Sequence, residues 1–224
     1  MNVFIIIPAF NEESVIGKVL EALQPAGYRL VVVDDASDDH TAKVAREHTP
    51  DVLEHLINRG QGAALKTGIQ YALQQHAEVI VTYDADGQHQ AGDVEALLAP
   101  ILRGECEVTL GSRYLTELSQ RHVPMVRKVL HRLAVGYTNL STGLKLTDTH
   151  NGLRAMTASV ATRIRMQQDR MAHASEILEE ISRKNIAFRE VPVTVHYTDY
   201  SLAKGQHFGD FVKILFKIFV QKLK

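Results

Sequence analysis

The sequence predicts an α/β protein built on a mainly parallel sheet with helices on both faces. Three observations predict it. Short β-branched runs alternate with stretches of helical periodicity, each run is apolar at successive positions, and each run ends in a polar, tightly turned segment. A continuous valine and isoleucine run is buried on both faces, which requires a helical layer on each side. Strand–helix alternation makes the strands parallel, because each crossover returns the chain to the same edge.

The elements follow in order. "VFIIIP" (3–8) is the first strand, and "EESVIGKVLEAL" (12–23) continues at helical spacing. "RLVVVDD" (29–35) is a second buried strand, and "DDHTAKVAREH" (38–48) a helix with Asp38 as its N-cap. "DVLEHLI" (51–57) is a shorter, mixed strand, followed by the alanine-rich helix "GAALKTGIQYALQQH" (62–76). "EVIVTYDAD" (78–86) is the fourth strand, "DVEALLAPILRG" (93–104) a helix and "EVTLGSR" (107–113) the fifth strand.

Composition narrows the classes. With 224 residues, 45% hydrophobic and 23% charged, the chain suits one globular domain with a full core. A net charge of -1 supplies no field to attract nucleic acid. Cys106 is the single cysteine, so a disulfide framework within the chain is excluded and a reducing, cytoplasmic compartment is expected. The apolar run at the N-terminus lacks a basic flank and reads as a strand, and no stretch reaches membrane-spanning length.

The polar segments "PAFNEE", "DDASDD", "NRGQG", "DADGQH" and "GSRY" follow the five strands in turn. In a parallel sheet the carboxyl ends of the strands form the ligand-binding edge, so the five segments describe one shared mouth. Within it, Asp84 and Asp86 stand one residue apart at a strand-to-turn corner, and Gly87 permits the bend. Paired carboxylates repel one another unless a cation is present. Hard oxygen ligands of this kind suit Mg²⁺ or Mn²⁺, which bridge carboxylates to a substrate's phosphates. A lone D-x-D is also a common turn; its context gives it weight.

"PAFNEE", "VVVDDASDD", "NRGQGAALKTG", "YDADGQH", "GSRY", "DTHNGLRAM" and "EVPVTVHY" stand in the order found in family 2 glycosyltransferases, and the chain most resembles their dolichyl- or polyprenyl-phosphate sugar transferase branch. The resemblance runs from Phe4 to about Gly205. It implies a GT-A-type nucleotide-sugar-binding domain over residues 1–206, a divalent cation, Mg²⁺ or Mn²⁺, and inverting transfer of a hexose. By motif, Pro8, Phe10 and Glu12 would line the nucleoside pocket and Asp35 would contact base or ribose. Asp84 and Asp86 would bind the diphosphate through the metal, with Gln88 as the third metal ligand. Arg113 and Arg127 fall where the branch has phosphate-binding arginines, a role that suits the bidentate guanidinium fork. The late loop "YTDYSLAKGQ" departs from the branch in lacking an arginine; Lys204 is its candidate for the diphosphate or the acceptor phosphate.

A lipid-phosphate acceptor is already ionised near neutral pH and needs no strong base, whereas a sugar hydroxyl acceptor calls for a positioned carboxylate. Glu176 is the candidate base, because inverting relatives place an acid in this later region; Glu179 and Glu180 beside it also fit a plain charged helix face. Asp148, in "DTHNG", is a further substrate-binding candidate, and Asn151 and Gly152 form a turn beside it. The expected activity is hexose transfer from a nucleotide-diphosphate sugar to a polyprenyl phosphate. The alternatives are transfer to a sugar hydroxyl in polysaccharide synthesis and a non-catalytic nucleotide-sugar-binding module. A dinucleotide fold is disfavoured because the turn after the first strand has no glycine, and "GAALKTG" lacks the ending of a P-loop.

The tail "HFGDFVKILFKIFVQKLK" (207–224) reads as a separate amphipathic helix, with Lys213, Lys217 and Lys224 opposite a phenylalanine-rich face. That pattern suits a membrane interface, or packing on the domain itself, on a partner subunit of a homo-oligomer or on a small membrane protein. With Arg121, Arg127, Lys128 and Arg132 adding attraction to anionic headgroups, the expectation is peripheral association with the inner face of the cell membrane.

Overall fold

The computed structural model describes residues 1–115, 125–149 and 151–196, with residues 125–130 described as helical backbone only. Seven strands form one sheet in the order β3-β2-β1-β4-β6-β5-β7. They are β1 (Val3–Ala9), β2 (Arg29–Asp34), β3 (Val52–Glu54), β4 (Val79–Thr82), β5 (Val108–Ser112), β6 (Arg154–Thr157) and β7 (Phe188–Pro192). The helices are α1 (Ile16–Leu23), α2 (Thr41–Arg46), α3 (Gln61–Gln74), α4 (Asp93–Leu102), α5 (Met125–Thr142), α6 (Ala158–Arg163) and α7 (His173–Arg183).

β1 lies at the centre of the parallel half because it is apolar on both faces. Ile5 and Ile7 point into one core with Leu20 and Leu23 of α1 and Leu97 of α4. Phe4 and Ile6 point into the other with Leu65 and Ile69 of α3 and Ile177 and Ile181 of α7. The two-residue period of the strand divides one run between two helical layers. α3 comes unusually close to the sheet at Gly68, where a Cβ would lie 2.3 Å from Ile6 Cγ2.

The expectation of a mainly parallel sheet holds, and the exception is informative. β6 runs antiparallel between β4 and β5, while β5 and β7 pair in parallel. The sequence analysis assigned no strand to this segment, which lies in the motif "DTHNGLRAM". Several boundaries also shift: α1 begins at Ile16 and β4 ends at Thr82, short of the aspartates. β3 covers three residues, because beyond it Leu56 is 99% exposed and the chain turns away from the sheet. α2 begins at Thr41, and the expected cap at Asp38 is supplied instead by Asp39, whose Oδ1 accepts from the Thr41 N–H at 2.9 Å. The Asp38 N–H is turned to Asn11 Oδ1 at 2.8 Å.

Gly68→Ala is expected to lower unfolding stability by about 1–3 kcal/mol, read by urea denaturation, because Ile6 sits in a close-packed core and cannot retreat. An unchanged midpoint would mean that α3 packs less tightly than its position indicates.

Candidate active site

Loops at the carboxyl ends of the strands are hydrogen-bonded one to the next. The Asn11 N–H donates to Ser37 Oγ at 2.9 Å and the Glu12 N–H to Thr41 Oγ1 at 2.7 Å, joining the loops after β1 and β2. Asn11 and Ala36 hold positive φ angles of 55° and 60° in these loops, a conformation uncommon outside glycine. The Asp35 carboxylate joins the loops after β2 and β3: Oδ1 accepts from His55 Nδ1 at 2.6 Å and the Arg59 N–H at 3.0 Å, and Oδ2 from the Gly60 N–H at 2.6 Å. The other His55 nitrogen meets Thr67 Oγ1 on α3 at 2.9 Å.

Asp84, after β4, draws in three more segments. Its Oδ1 accepts from Gln61 Nε2 at 2.9 Å and its Oδ2 meets His89 Nε2 at 3.1 Å. The backbone at Gly152 comes so close that a Cβ there would lie 2.2 Å from Asp84 Oδ2. His89 is held edge-on to Tyr83 with ring centroids 5.5 Å apart. Among the described residues its Nδ1 has no hydrogen-bond partner, and neither has Asn151 Nδ2.

These loops surround a cavity of about 390 Å³, lined by Pro8, Phe10, Glu12, Asp35, Gln61, Asp84, Asp86, Gln88 and Met171 among others. Phe10, 38% exposed, offers a flat apolar surface at its edge. The two aspartates differ electrostatically. Burial acts to raise both, but for Asp84 the His89 hydrogen bond and charge, with Arg154 and His173, outweigh burial and lower the pKa. Burial and the charge of Asp84 push Asp86 up to about 6, opposed by the Gln88 N–H, which donates to Asp86 Oδ1 at 3.0 Å. Gly87 takes φ 73° and makes the turn between them.

A second cluster lies beyond the cavity at the end of β5. Arg113 grips Asp148 with both arms of its fork, Nε to Oδ2 at 2.7 Å and Nη2 to Oδ1 at 2.9 Å. His131 Nε2 on α5 meets Asp148 Oδ1 at 2.8 Å, and its ring stacks on Tyr114 at 4.3 Å. Burial alone would raise Asp148, but Arg113 and His131 hold its carboxyl well below the usual carboxylate range. Arg154 of β6 stands between the two clusters. It is 4% exposed, and among the described residues its guanidinium makes no hydrogen bond or ion pair. Burial draws its pKa down to about 10 against the opposing charges of Asp84 and Asp148.

The donor set fits a divalent cation. Among the described residues no group of three or more His, Cys, Asp or Glu is gathered to enclose a metal. Two carboxylates and the Gln88 amide would therefore leave positions for phosphate oxygens and water, the usual condition of protein-bound Mg²⁺. The pKa of Asp86 is raised first by burial and then by the charge of Asp84, and a cation would oppose both.

The family model described as "Glycosyl transferase family 2" matches residues 4–165. The chain belongs to glycosyl transferase family 2. Its relatives place it with the polyprenyl-phosphate sugar transferases. It is 32% identical over 241 residues to the UDP-N-acetylglucosamine–dolichyl-phosphate N-acetylglucosaminyltransferase of Methanococcus voltae, covering 99% of this chain and 94% of that one. It is 29% identical over 226 residues to the polyprenol monophosphomannose synthase of Mycolicibacterium smegmatis, covering 96% and 84%. Its fold matches that of glucosyl-3-phosphoglycerate synthase from Mycobacterium tuberculosis, solved with Mn²⁺, UDP-glucose and phosphoglyceric acid, at a TM-score of 0.70 and 19% identity over 88% of this chain and 72% of that one.

In this glycosyltransferase the residues named from sequence fall into two groups. Pro8, Phe10, Glu12, Asp35, Asp84, Asp86 and Gln88 share the cavity, and Arg113 and Asp148 are ion-paired beside it. Glu176 is placed differently: its Oε1 and Oε2 each lie 2.9 Å from the Gln167 N–H, and Oε2 also accepts from the Gln168 N–H at 2.9 Å. The side chain of Arg127 lies outside the described residues, as do Lys204, Arg121 and the segment 207–224 expected as a helix. Sequence reasoning missed His55, Gln61, His131 and Arg154 as parts of the site. Only Arg154 carried a signal, a charged residue heading an apolar strand.

Asp148→Asn is expected to lower stability at pH 7 by about 3 kcal/mol, because it removes one partner of a buried pair. The native pKa lies below the unfolded value of about 3.9, so the carboxylate contributes fully above that value and its contribution falls away as pH drops towards the native pKa. Urea denaturation of the wild type and variant should give a constant difference from pH 5 to 7 that narrows below about pH 4. A difference that grows with acidity would contradict the assignment.

Proposed function

We propose that this glycosyltransferase moves a hexose from a nucleoside diphosphate sugar to a polyprenyl-type lipid phosphate, with inversion at the anomeric carbon. The observation that carries this reading is the pairing of two sites on one sheet edge. A cavity with an aromatic side chain and a carboxylate pair lies beside a buried arginine–aspartate–histidine cluster suited to a phosphate. One named relative is a dolichyl-phosphate N-acetylglucosaminyltransferase and another a polyprenol monophosphomannose synthase, and the structural neighbour was solved with Mn²⁺ and UDP-glucose.

The nucleoside would lie against Phe10 and Asp35, with the diphosphate directed towards Asp86 and Gln88. A divalent cation held by Asp84, Asp86 and Gln88 would offset the charge that develops on the leaving diphosphate. An acceptor phosphate oxygen attacks the anomeric carbon from the face opposite the leaving group. The new C–O bond forms as the bond to the donor's phosphate oxygen breaks, and that oxygen keeps the electron pair. The acceptor is ionised, so no protein base is required, which agrees with the engagement of Glu176 by backbone N–H groups. Asp148 holds the Arg113 fork in place, so that its charge meets an anionic acceptor without reorganisation. Arg154 supplies buried positive charge between donor and acceptor clusters.

A lipid acceptor has to be reached at a membrane surface. No helix among the described residues is long and apolar enough to cross a membrane; the contact proposed is peripheral and is assigned to the basic segment 207–224. The full chain should co-sediment with anionic liposomes at low salt, and deletion of residues 208–224 should abolish this while leaving donor binding intact. A full chain that ignores liposomes would turn the proposal towards a soluble acceptor.

Asp86→Ala should abolish transfer and weaken nucleotide-sugar binding by at least about tenfold, as expected when a charge-bearing ligand is lost. EDTA should do the same to the wild type, and added Mg²⁺ or Mn²⁺ should restore it. Near wild-type transfer by the variant in excess EDTA would refute the metal role.

A further inference from the structure

The nucleoside end of the cavity is shaped by how few acceptor positions Asp35 has left. An ionised carboxylate offers about four lone-pair positions, two on each oxygen. Both positions on Oδ1 are filled, by His55 Nδ1 at 2.6 Å and the Arg59 N–H at 3.0 Å. Oδ2 accepts from the Gly60 N–H at 2.6 Å and keeps one position. Asp35 is 3% exposed and lines the cavity, so this remaining position is its polar contribution to a ligand. The His55 ring is fixed at its far side by Thr67 Oγ1 at 2.9 Å, with a side chain only 10% exposed. It therefore cannot swing aside to release Oδ1.

We propose that His55, acting through Asp35, is a positioning residue that sets nucleotide choice in favour of a uracil-type base over guanine. The inference rests on the nucleotide-sugar reading of the cavity. Uracil and thymine present a single ring N–H along their pairing edge, at N3, and one acceptor satisfies it. Guanine presents two adjacent donors, N1–H and N2–H, which match the two oxygens of a carboxylate in a bidentate pair. With Oδ1 saturated, one guanine donor would be buried without a partner. A site built around hydrogen bonds rejects a ligand for that reason more strongly than a merely apolar pocket does. The sequence shows Asp35 but cannot show this count, since His55 lies twenty positions away on another loop.

The test is calorimetric titration of the full chain, with Mg²⁺ present, by UDP, dTDP, GDP and N3-methyl-UDP. Wild type is expected to bind UDP and dTDP at least about tenfold tighter than GDP, and to bind N3-methyl-UDP poorly. His55→Leu frees one position on Oδ1 and should narrow the UDP-to-GDP ratio, chiefly by gain of GDP binding. His55→Asn, which restores an N–H near the place of Nδ1, should widen it again. A purely structural role for His55 would weaken both nucleotides together and leave the ratio unchanged, which would overturn the assignment. GDP binding as tightly as UDP, or N3-methyl-UDP as tightly as UDP, would overturn it on wild-type protein alone, whether or not the variants fold, while leaving the nucleotide-sugar reading standing. Binding of none of the four would overturn both.

Discussion

The geometry of this site depends on a carboxylate drawn largely out of water, its side chain 27% exposed at the cavity wall. Asp84 stands at the end of a strand whose four residues are all buried, where an uncompensated charge would be costly. Its compensation comes from several parts of the chain: Gln61 at the start of α3, His89 in its own loop, and the charges of Arg154 on β6 and His173 on α7. Meeting the needs of one carboxylate therefore fixes helix starts and a strand against the mouth of the sheet. Gly152 completes the arrangement, because any side chain there would occupy the space of the carboxylate itself.

From that point charge alternates across the sheet edge. Asp84 faces Arg154, Arg154 faces Asp148, and Asp148 binds Arg113 and His131. Along this row each buried charge is adjacent to one of opposite sign, which offsets part of the cost of its burial. The antiparallel strand β6 makes this possible. It inserts between β4 and β5, and its first residue, Arg154, pairs in register with Thr82 on one side and Leu110 on the other.

The cavity side of the site was legible in the sequence to the extent that its residues are local. The D-x-D corner, the glycine after it and Gln88 lie within five positions, and a strand–turn corner keeps such neighbours together. The polar segments at the strand ends were legible because buried strands announce themselves by continuous apolar runs, whereas Pro8, Phe10, Glu12 and Asp35 were singled out within them by the family resemblance. The engagement of Glu176 by the Gln167 and Gln168 N–H groups was not legible, because a carboxylate on an amphipathic helix reads the same whether it faces a ligand or a neighbouring loop.

What the sequence by itself determined is the fold class, the edge that carries the site, and the chemical character of the residues placed there. These follow from period, burial and turn chemistry, all of which act over a few residues. Only the tertiary structure decided which side chains are already engaged and by whom: His55 on Asp35, His131 on Asp148, Arg154 between two acids. Such pairs join residues up to about seventy positions apart, and they arise because low-dielectric burial forces each charge to find a partner wherever the fold supplies one. No local pattern encodes that choice, since the same histidine or arginine in water would need no partner.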